Sequence, residues 1–322
     1  MVIVWNVTNT PARLAGYRAA SIPDMPDGRF APSPTGSLHL GSLRTALLAW
    51  LFARSSGSRF VVRVEDLDSG RVRERFVGEQ LADLAALGLD WDGEPLRQSA
   101  RLDAHAEAIA ALEARGILYP CFCTRREIAE AASAPHGPLP EGAYPGTCRE
   151  LSAAGRAERE RQGRPPALRL RADAGAIEFT DRLHGRVTRV VDDLVVRRND
   201  GAPAYNLAVI VDDAWQGIGE VVRGDDLLDS TPRQIRLARE LGLPVPAFAH
   251  VSLVLGPDGM RLAKRDGAIT LHELAESPAE VLAWLARTLG LAERGEAVTP
   301  GTLLERFDPD RLPRTPTNIK RV

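Results

Sequence analysis

Long apolar runs are missing from this sequence, and none approaches the roughly 18 residues that a helix needs to cross a bilayer. The apolar start from Met1 to Trp5 is much shorter than the apolar core of a secretory signal, which takes about 7–15 residues. Hydrophobic residues make up 44% of the chain and charged residues 26%, as is ordinary for a globular enzyme. We therefore expect a cytoplasmic protein without membrane association.

Lysine is nearly absent: of 41 basic residues, only Lys264 and Lys320 are lysines. The net charge of −2 gives no global argument for nucleic-acid binding, although a few placed cations suffice for phosphate contacts. A lysine in mid-sequence, where nearly every other cation is arginine, is either chance or a position that requires an ammonium group.

Cysteine is also scarce, and three residues cannot build the disulfide framework of a secreted domain. Cys121, Cys123 and Cys148 nevertheless lie close together in the chain. Such clustering favours a bound metal, and structural zinc takes four ligands in a tetrahedral array. General chemistry offers His136 as the fourth ligand, although it lies in a Pro/Gly-rich loop. Three reduced core thiols without metal are the alternative.

A βαβ unit is predicted near the N-terminus. Arg29–Ala31 has the pattern of a short buried strand, residues 32–36 form a turn, and Ser37 is a plausible N-cap. Apolar residues then recur at helical spacing over 38–55, which predicts an amphipathic helix, and 59–65 reads as the next strand. This order of elements implies a parallel α/β sheet.

The turn before the predicted helix carries Gly36, His39 and Gly41. Open α/β sheets bind ligands outside the carboxyl ends of their strands, and a helix N-terminus there offers N–H groups to phosphate. The glycines would let a nucleotide approach the backbone, and His39 could donate a hydrogen bond to a phosphate oxygen. A tight turn with a surface histidine is the alternative, and this motif alone does not decide between them.

The surrounding residues carry a resemblance to a known family. The stretch from Arg29 through Arg44-Thr-Ala-Leu resembles the first signature of glutamyl-tRNA synthetases, which are class I enzymes with a Rossmann core and an HIGH-type motif. Met260-Arg-Leu-Ala-Lys264-Arg265 resembles their second signature, KMSKS. The resemblance implies that ATP binds with Mg²⁺ near Gly36, His39, Gly41 and Lys264, and that His39 and Lys264 are the catalytic residues.

The fold class implied is α/β, a Rossmann-type parallel nucleotide-binding sheet split by an inserted zinc-bearing α+β segment, with a small helical C-terminal appendage. Short alternating runs between 167 and 198 agree with an antiparallel insertion. The predicted divisions are an N-terminal extension (1–27), the first half of the catalytic domain (28–120), the insertion (121–200), the second half with the KMSKS-like loop (201–270) and a helical region without an anticodon-binding domain (271–322).

The resemblance also implies a glutamate pocket, in which paired guanidinium groups meet carboxylates and a carboxylate meets the ammonium. We assign Glu65 to the ammonium, and Arg29, Tyr205 and Arg223 to the carboxylates, with no assignment of which arginine binds which end. A structural ion pair between Arg29 and Glu65 is the alternative. The full set implied to line the pocket is Arg29, Ala31, Ser33, Glu65, Tyr205 and Arg223.

Details of the sequence resemble a short paralogue of the family, which attaches glutamate to queuosine in tRNA(Asp). Val209 stands where many full-length glutamyl synthetases have asparagine. The paralogue's pattern of Cys-x-Cys and Tyr-x-x-x-Cys matches Cys121, Cys123, Tyr144 and Cys148, which makes Tyr144 the expected fourth zinc ligand ahead of His136.

The expected partners are therefore L-glutamate, ATP and tRNA(Asp) bearing queuosine, and the expected state is a monomer. Few residues follow Lys264, so a large anticodon-binding region is not expected. A minimal glutamyl-tRNA synthetase that charges a tRNA 3′ end and a non-catalytic RNA-binding paralogue are the two alternatives.

Overall fold

The computed structural model describes residues 27–132, 143–172, 175–256, 259–260, 270–271 and 277–318. The predicted N-terminal extension lies outside these residues, apart from Asp27. His136 and Lys264 lie outside them too, so their predicted roles stay predictions.

The described chain alternates strands and helices. The strands are β1 (Gly28–Phe30), β2 (Phe60–Val64), β3 (Leu96–Arg97), β4 (Leu118–Cys121), β5 (Ala167–Leu170), β6 (Ala176–Asp181), β7 (Gly185–Val190), β8 (Leu194–Arg197), β9 (Glu220–Gly224), β10 (Ala247–Val251), β11 (Val254–Leu255) and β12 (Thr317–Asn318). The helices are α1 (Leu40–Ser55), α2 (Glu74–Ala86), α3 (Leu102–Ala114), α4 (Arg125–Ala132), α5 (Ala153–Arg161), α6 (Tyr205–Gln216), α7 (Thr231–Leu241), α8 (Pro278–Thr288) and α9 (Pro300–Arg306).

Parallel pairing dominates the nucleotide-binding part. β1 pairs with β2, and β2 pairs with β3, all parallel. β9 and β10 form a second parallel pair. A parallel bridge between Asp27 and Ile218 connects the two groups, and the Gly219 amide donates to the Asp27 carbonyl at 3.0 Å. The predicted parallel α/β sheet is therefore confirmed, with the carboxyl ends of β1, β2 and β9 at one edge.

Antiparallel strands occur between the two parallel groups. β4, β5 and β8 form a three-stranded antiparallel sheet, and β6 pairs antiparallel with β7. β6 also lies beside β10, with Phe248 opposite Asp181. The antiparallel strands predicted between 167 and 198 are present, and one of them borders the parallel strands directly.

Helix α1 is more deeply buried than the amphipathic helix that was predicted. Leu43, Leu47 and Leu51 are fully buried, and so are most residues on its other sides. The reason is that α1 packs against β1 and β9 and also against α8 and α9, so little of its surface meets water. A Cβ on Gly28 would lie 2.9 Å from the Ala53 side chain, so this close approach of β1 to α1 requires glycine.

The C-terminal helices complete this core. α8 begins with the predicted capping box, in which Ser277 and Glu280 bond reciprocally to each other's backbone. None of the helices in the described ranges has the length and apolar character needed to cross a bilayer.

Candidate active site

The turn between β1 and α1 is closed by its own side chains. His39, not Ser37, is the N-cap of α1, and its Nδ1 accepts the Ser42 amide at 3.1 Å. Ser37 instead donates to Glu79. Because Nδ1 accepts a hydrogen bond, the ring proton of His39 is on Nε2, which lies 3.2 Å from the Ser42 hydroxyl oxygen.

A glutamine from α2 supports the same turn. Gln80 is buried, and its amide donates to the carbonyls of Ser33 (3.2 Å) and Gly36 (2.7 Å). Gly41 packs against the His39 ring, since a Cβ there would lie 3.1 Å from two ring atoms. The first turn of α1 thus presents its N-terminus to the cavity described next.

A cavity of about 310 Å³ opens at the carboxyl ends of β1, β2 and β9. Its lining brings together most of the predicted site, namely Arg29, Ala31, Ser33, His39, Gly41, Glu65, Tyr205 and Arg223. Gly36 does not line this cavity; its carbonyl is bound by Gln80 behind the turn.

The segments on either side of the second signature also reach this region. Leu253 and Val254 line the cavity, and Thr270 pairs with His39 in an antiparallel bridge. The chain therefore returns to the N-terminus of α1 both before and after the stretch that contains Lys264.

Two arginines share one buried carboxylate beneath the cavity. Asp213 Oδ1 lies 3.3 Å from Arg29 Nε and 2.6 Å from Arg63 Nη1. Arg63 also contacts Glu65 at 3.4 Å and Gln216 at 2.9 Å. The predicted alternative of an Arg29–Glu65 ion pair is therefore wrong, because each residue has a different partner.

Glu65 is a buried acid with weak compensation. Its side chain is only 9% exposed, and its one ion pair among the described residues is the 3.4 Å contact with Arg63. Burial raises the pKa of Glu65, against the opposing pull of Arg63 and Arg29. A desolvated carboxylate of this kind in a cavity marks a candidate site for a cation.

Arg223 reaches the cavity from β9 and is also buried. Within the described part of the chain, no carboxylate lies within ion-pair distance of it; its partners are the His250 ring and the Thr231 hydroxyl. Burial lowers the pKa of Arg223, as expected for a cation taken out of water without a counter-ion. Asp226 also lines the cavity, so the formal charges of the three arginines and the three carboxylates of the site balance.

The three cysteines form a compact cluster with Tyr144. Their Sγ atoms all lie within 4.8 Å of one another, and Cys123 and Cys148 are 3.5 Å apart. The Tyr144 hydroxyl lies 3.4 Å from Cys121 Sγ and 3.8 Å from Cys123 Sγ. These separations match the edges of a tetrahedron with zinc–ligand distances of about 2.0–2.3 Å, so the four side chains fit the predicted metal.

The four groups of the cluster differ in their pKa shifts. Hydrogen bonds from Cys148 and Tyr144, with Arg169 nearby, lower the pKa of Cys121 to about 4. The Cys148 amide donates to the Tyr144 hydroxyl oxygen at 2.8 Å. Burial raises the pKa of Cys123 and of Tyr144, and the hydrogen bond to Cys121 raises that of Cys148, so one low-pKa thiol lies beside three groups that hold their protons.

Comparison with known proteins identifies the family. A family model for tRNA synthetases class I (E and Q), catalytic domain, matches residues 27–300. The chain is 63% identical over 292 residues to a glutamyl-Q tRNA(Asp) synthetase of Nocardia farcinica, which covers 90% of this chain and 91% of the relative. A glutamyl-Q tRNA(Asp) synthetase of Symbiobacterium thermophilum is 50% identical over 307 residues, covering 91% and 95%. The chain belongs to the glutamyl-Q tRNA(Asp) synthetases.

The resemblance noted in the two signatures is thereby confirmed, and the protein is a ligase of the class I aminoacyl-tRNA synthetase family. Its fold is also similar to the crystal structure of a glutamate tRNA ligase from Elizabethkingia meningosepticum in complex with its amino acid. The TM-score is 0.77 at 27% identity, and the match covers 92% of this chain and 67% of that chain.

Several residues around the cavity were not predicted from the sequence. Arg63 carried a signal, since it interrupts an apolar strand and shares a face with Glu65 two residues on. Asp213, Gln80 and His250 carried none, because each reaches the site through contacts between distant segments.

Proposed function

We propose that the enzyme activates L-glutamate with ATP to give glutamyl-adenylate, without requiring tRNA, and transfers the glutamyl group to queuosine in the anticodon of tRNA(Asp). One observation carries the glutamate part. A single cavity joins two buried guanidinium groups, a poorly compensated carboxylate and the N-terminus of α1. The queuosine part is supported by the names of the relatives.

In this proposal Arg29, Tyr205 and Arg223 bind the two carboxylates of glutamate, and Glu65 binds the ammonium. Arg223 has no carboxylate partner among the described residues, so a substrate carboxylate would supply its missing counter-charge. Glu65 would in turn gain the substrate ammonium as a close cationic partner, because its contact with Arg63 is long, at 3.4 Å. Ala31 and Ser33 complete the lining.

Activation forms a bond between a glutamate carboxylate oxygen and the α-phosphorus of ATP, and the bond to pyrophosphate breaks. The amide groups at the start of α1 and the Nε2–H of His39 would stabilise the developing negative charge. The ammonium group of Lys264 would stabilise the negative charge of the phosphates, and ATP would bind as its Mg²⁺ complex. A queuosine hydroxyl then attacks the acyl carbon and releases AMP, so positioning and electrostatics suffice without a protein nucleophile.

Cys121, Cys123, Cys148 and Tyr144 would hold one zinc ion. A shell of four protein ligands has no open position for a reacting water, so the ion's contribution is structural. We propose that it stabilises the segment 121–200, which faces the RNA, and that the enzyme acts as a monomer.

The decisive experiment measures glutamate transfer to tRNA(Asp) with and without queuosine, and to tRNA(Glu), alongside glutamate-dependent ATP–pyrophosphate exchange without RNA. We expect exchange without tRNA and transfer only to queuosine-bearing tRNA(Asp). Charging of the tRNA(Glu) 3′ end would favour a minimal glutamyl-tRNA synthetase. Absence of exchange with and without RNA would favour a non-catalytic RNA-binding paralogue.

A further inference from the structure

A chain of buried hydrogen bonds lies directly behind Arg223. Its Nε donates to His250 Nε2 at 3.1 Å, and its Nη2 donates to the Thr231 hydroxyl at 2.8 Å. His250 Nδ1 lies 2.6 Å from Asp181 Oδ2. All four residues are almost completely buried, with exposed fractions of 5% or less.

The chain has one consistent direction. The Asp181 carboxylate also accepts the backbone amides of Leu183 and His184, so it acts as an acceptor throughout. His250 Nδ1 must therefore carry the hydrogen, which leaves Nε2 as an acceptor for the Arg223 guanidinium. Burial, with Arg223 adjacent, lowers the pKa of His250, in agreement with a neutral ring.

These hydrogen bonds occupy one side of the Arg223 guanidinium and leave the other side without a hydrogen bond from the described residues. Nε and Nη2 form the side edge of the arginine fork, and both are bound by neutral acceptors. Nη1 is buried and has no hydrogen-bond partner among the described residues. Arg223 is thus oriented without being neutralised, an arrangement that preserves its full charge for an anionic ligand in the cavity.

The four residues of this hydrogen-bond network come from four separate elements of secondary structure. Arg223 and His250 are cross-strand neighbours in the register of β9 and β10. Asp181 is at the end of β6, and Thr231 begins α7. Direct contact between a protein carboxylate and Arg223 would form an internal ion pair. The neutral His250 ring lies between Asp181 and Arg223 and keeps the Asp181 carboxylate out of contact with the guanidinium.

We infer that His250, held by Asp181 and assisted by Thr231, is a positioning residue that orients Arg223 for glutamate. The inference rests on the proposed function, because it takes Arg223 to bind a glutamate carboxylate. His250 does not touch substrate; it acts through the guanidinium alone.

The test compares His250→Phe and His250→Gln in glutamate-dependent ATP–pyrophosphate exchange with the full-length enzyme. Phenylalanine preserves the ring shape and removes both hydrogen bonds, so the KM for glutamate should rise roughly 10- to 100-fold, the range for a bond to a charged group. The KM for ATP should change less than about threefold, because the α1 N-terminus is not involved. Glutamine supplies one donor and one acceptor and should recover part of the loss.

If His250→Phe does not fold, a second pair of variants tests the same inference. Thr231→Val retains side-chain shape but removes the Nη2 acceptor, and should raise the KM for glutamate by roughly 3- to 10-fold. Thr231→Ser should behave like the parent. The matched control is His105→Phe, which breaks another buried His–Asp pair, with Asp212, and should lower stability without a selective change for glutamate.

A double-mutant cycle separates positioning from general support. In an Arg223→Gln background, His250→Phe should add less than about a twofold further rise in the KM for glutamate, because there is no guanidinium left to orient. Equal losses in both backgrounds, or parallel rises in the KM values for glutamate and ATP, would overturn the inference. If the parent shows no glutamate-dependent exchange, the proposed function itself fails; if Arg223→Gln leaves the KM unchanged, the role of Arg223 and this inference fall together.

Discussion

Replacement of Glu65 by glutamine tests the assignment of the substrate ammonium. Glutamine retains the shape of the side chain and removes one negative charge from the cavity. If Glu65 binds the ammonium, the enzyme loses a charge-assisted hydrogen bond, which is worth about 1.5–3 kcal/mol. We therefore expect kcat/KM for glutamate to fall by roughly 10- to 100-fold, since each 1.4 kcal/mol is about tenfold.

The same substitution should leave stability almost unchanged. The contact between Glu65 and Arg63 is long, at 3.4 Å, while Arg63 keeps Asp213 at 2.6 Å and Gln216 at 2.9 Å. Because burial raises the pKa of Glu65 above its unfolded value, its ionisation at neutral pH disfavours the folded state. A neutral glutamine removes that cost, so we expect little change in the free energy of unfolding.

The assay is ATP–pyrophosphate exchange over a range of glutamate concentrations and pH. In the parent, the KM for glutamate should rise as the pH falls towards the raised pKa of Glu65, because protonation removes the charge that attracts the ammonium. Glu65→Gln should lose that rise. The control is Glu220→Gln. Glu220 is the first residue of β9, does not line the cavity, and its buried carboxylate pairs with Arg182 at 3.0 Å. An unchanged glutamate KM in Glu65→Gln, with the parent's pH dependence retained, would refute the assignment.

Three further outcomes test the remaining parts of the site. Lys264→Ala should lower the activation rate by roughly 10²–10³-fold, and Lys264→Arg should recover it only in part; an arginine variant as active as the parent would show that charge alone is needed. The purified enzyme should contain zinc by elemental analysis, and Cys148→Ser should release it while glutamate-dependent exchange persists. Metal-free protein prepared without chelator would contradict the site. Tyr144→Phe should bind zinc more weakly in chelator competition, and unchanged affinity would assign the fourth position to another ligand.

Local features of the chain were set by short-range sequence. The helical spacing after residue 40, the capping box at Ser277 and the alternating strands near 177–190 each depend on neighbours a few residues apart, and all three are present. The cysteine spacing likewise predicted a cluster whose thiols meet. The two signatures carried the family, because each is a short contiguous stretch of sequence.

The partners of the site residues depended on tertiary structure. Glu65 pairs with Arg63 and not with Arg29, because Asp213, 150 residues from Arg63, takes the contact with both arginines. Helix α1 begins at Leu40, so His39 and not Ser37 occupies the N-cap position, while Ser37 donates to Glu79 of α2.

The hydrogen bonds that orient Arg223 also depend on tertiary structure. Asp181 and His250 are 69 residues apart and meet only because β6 lies beside β10, while the parallel register of β9 and β10 puts Arg223 opposite His250. Periodicity reports which face of an element is buried. It carries no information on strand order or register, and those two properties determined which charges are neutralised and which are left for a ligand.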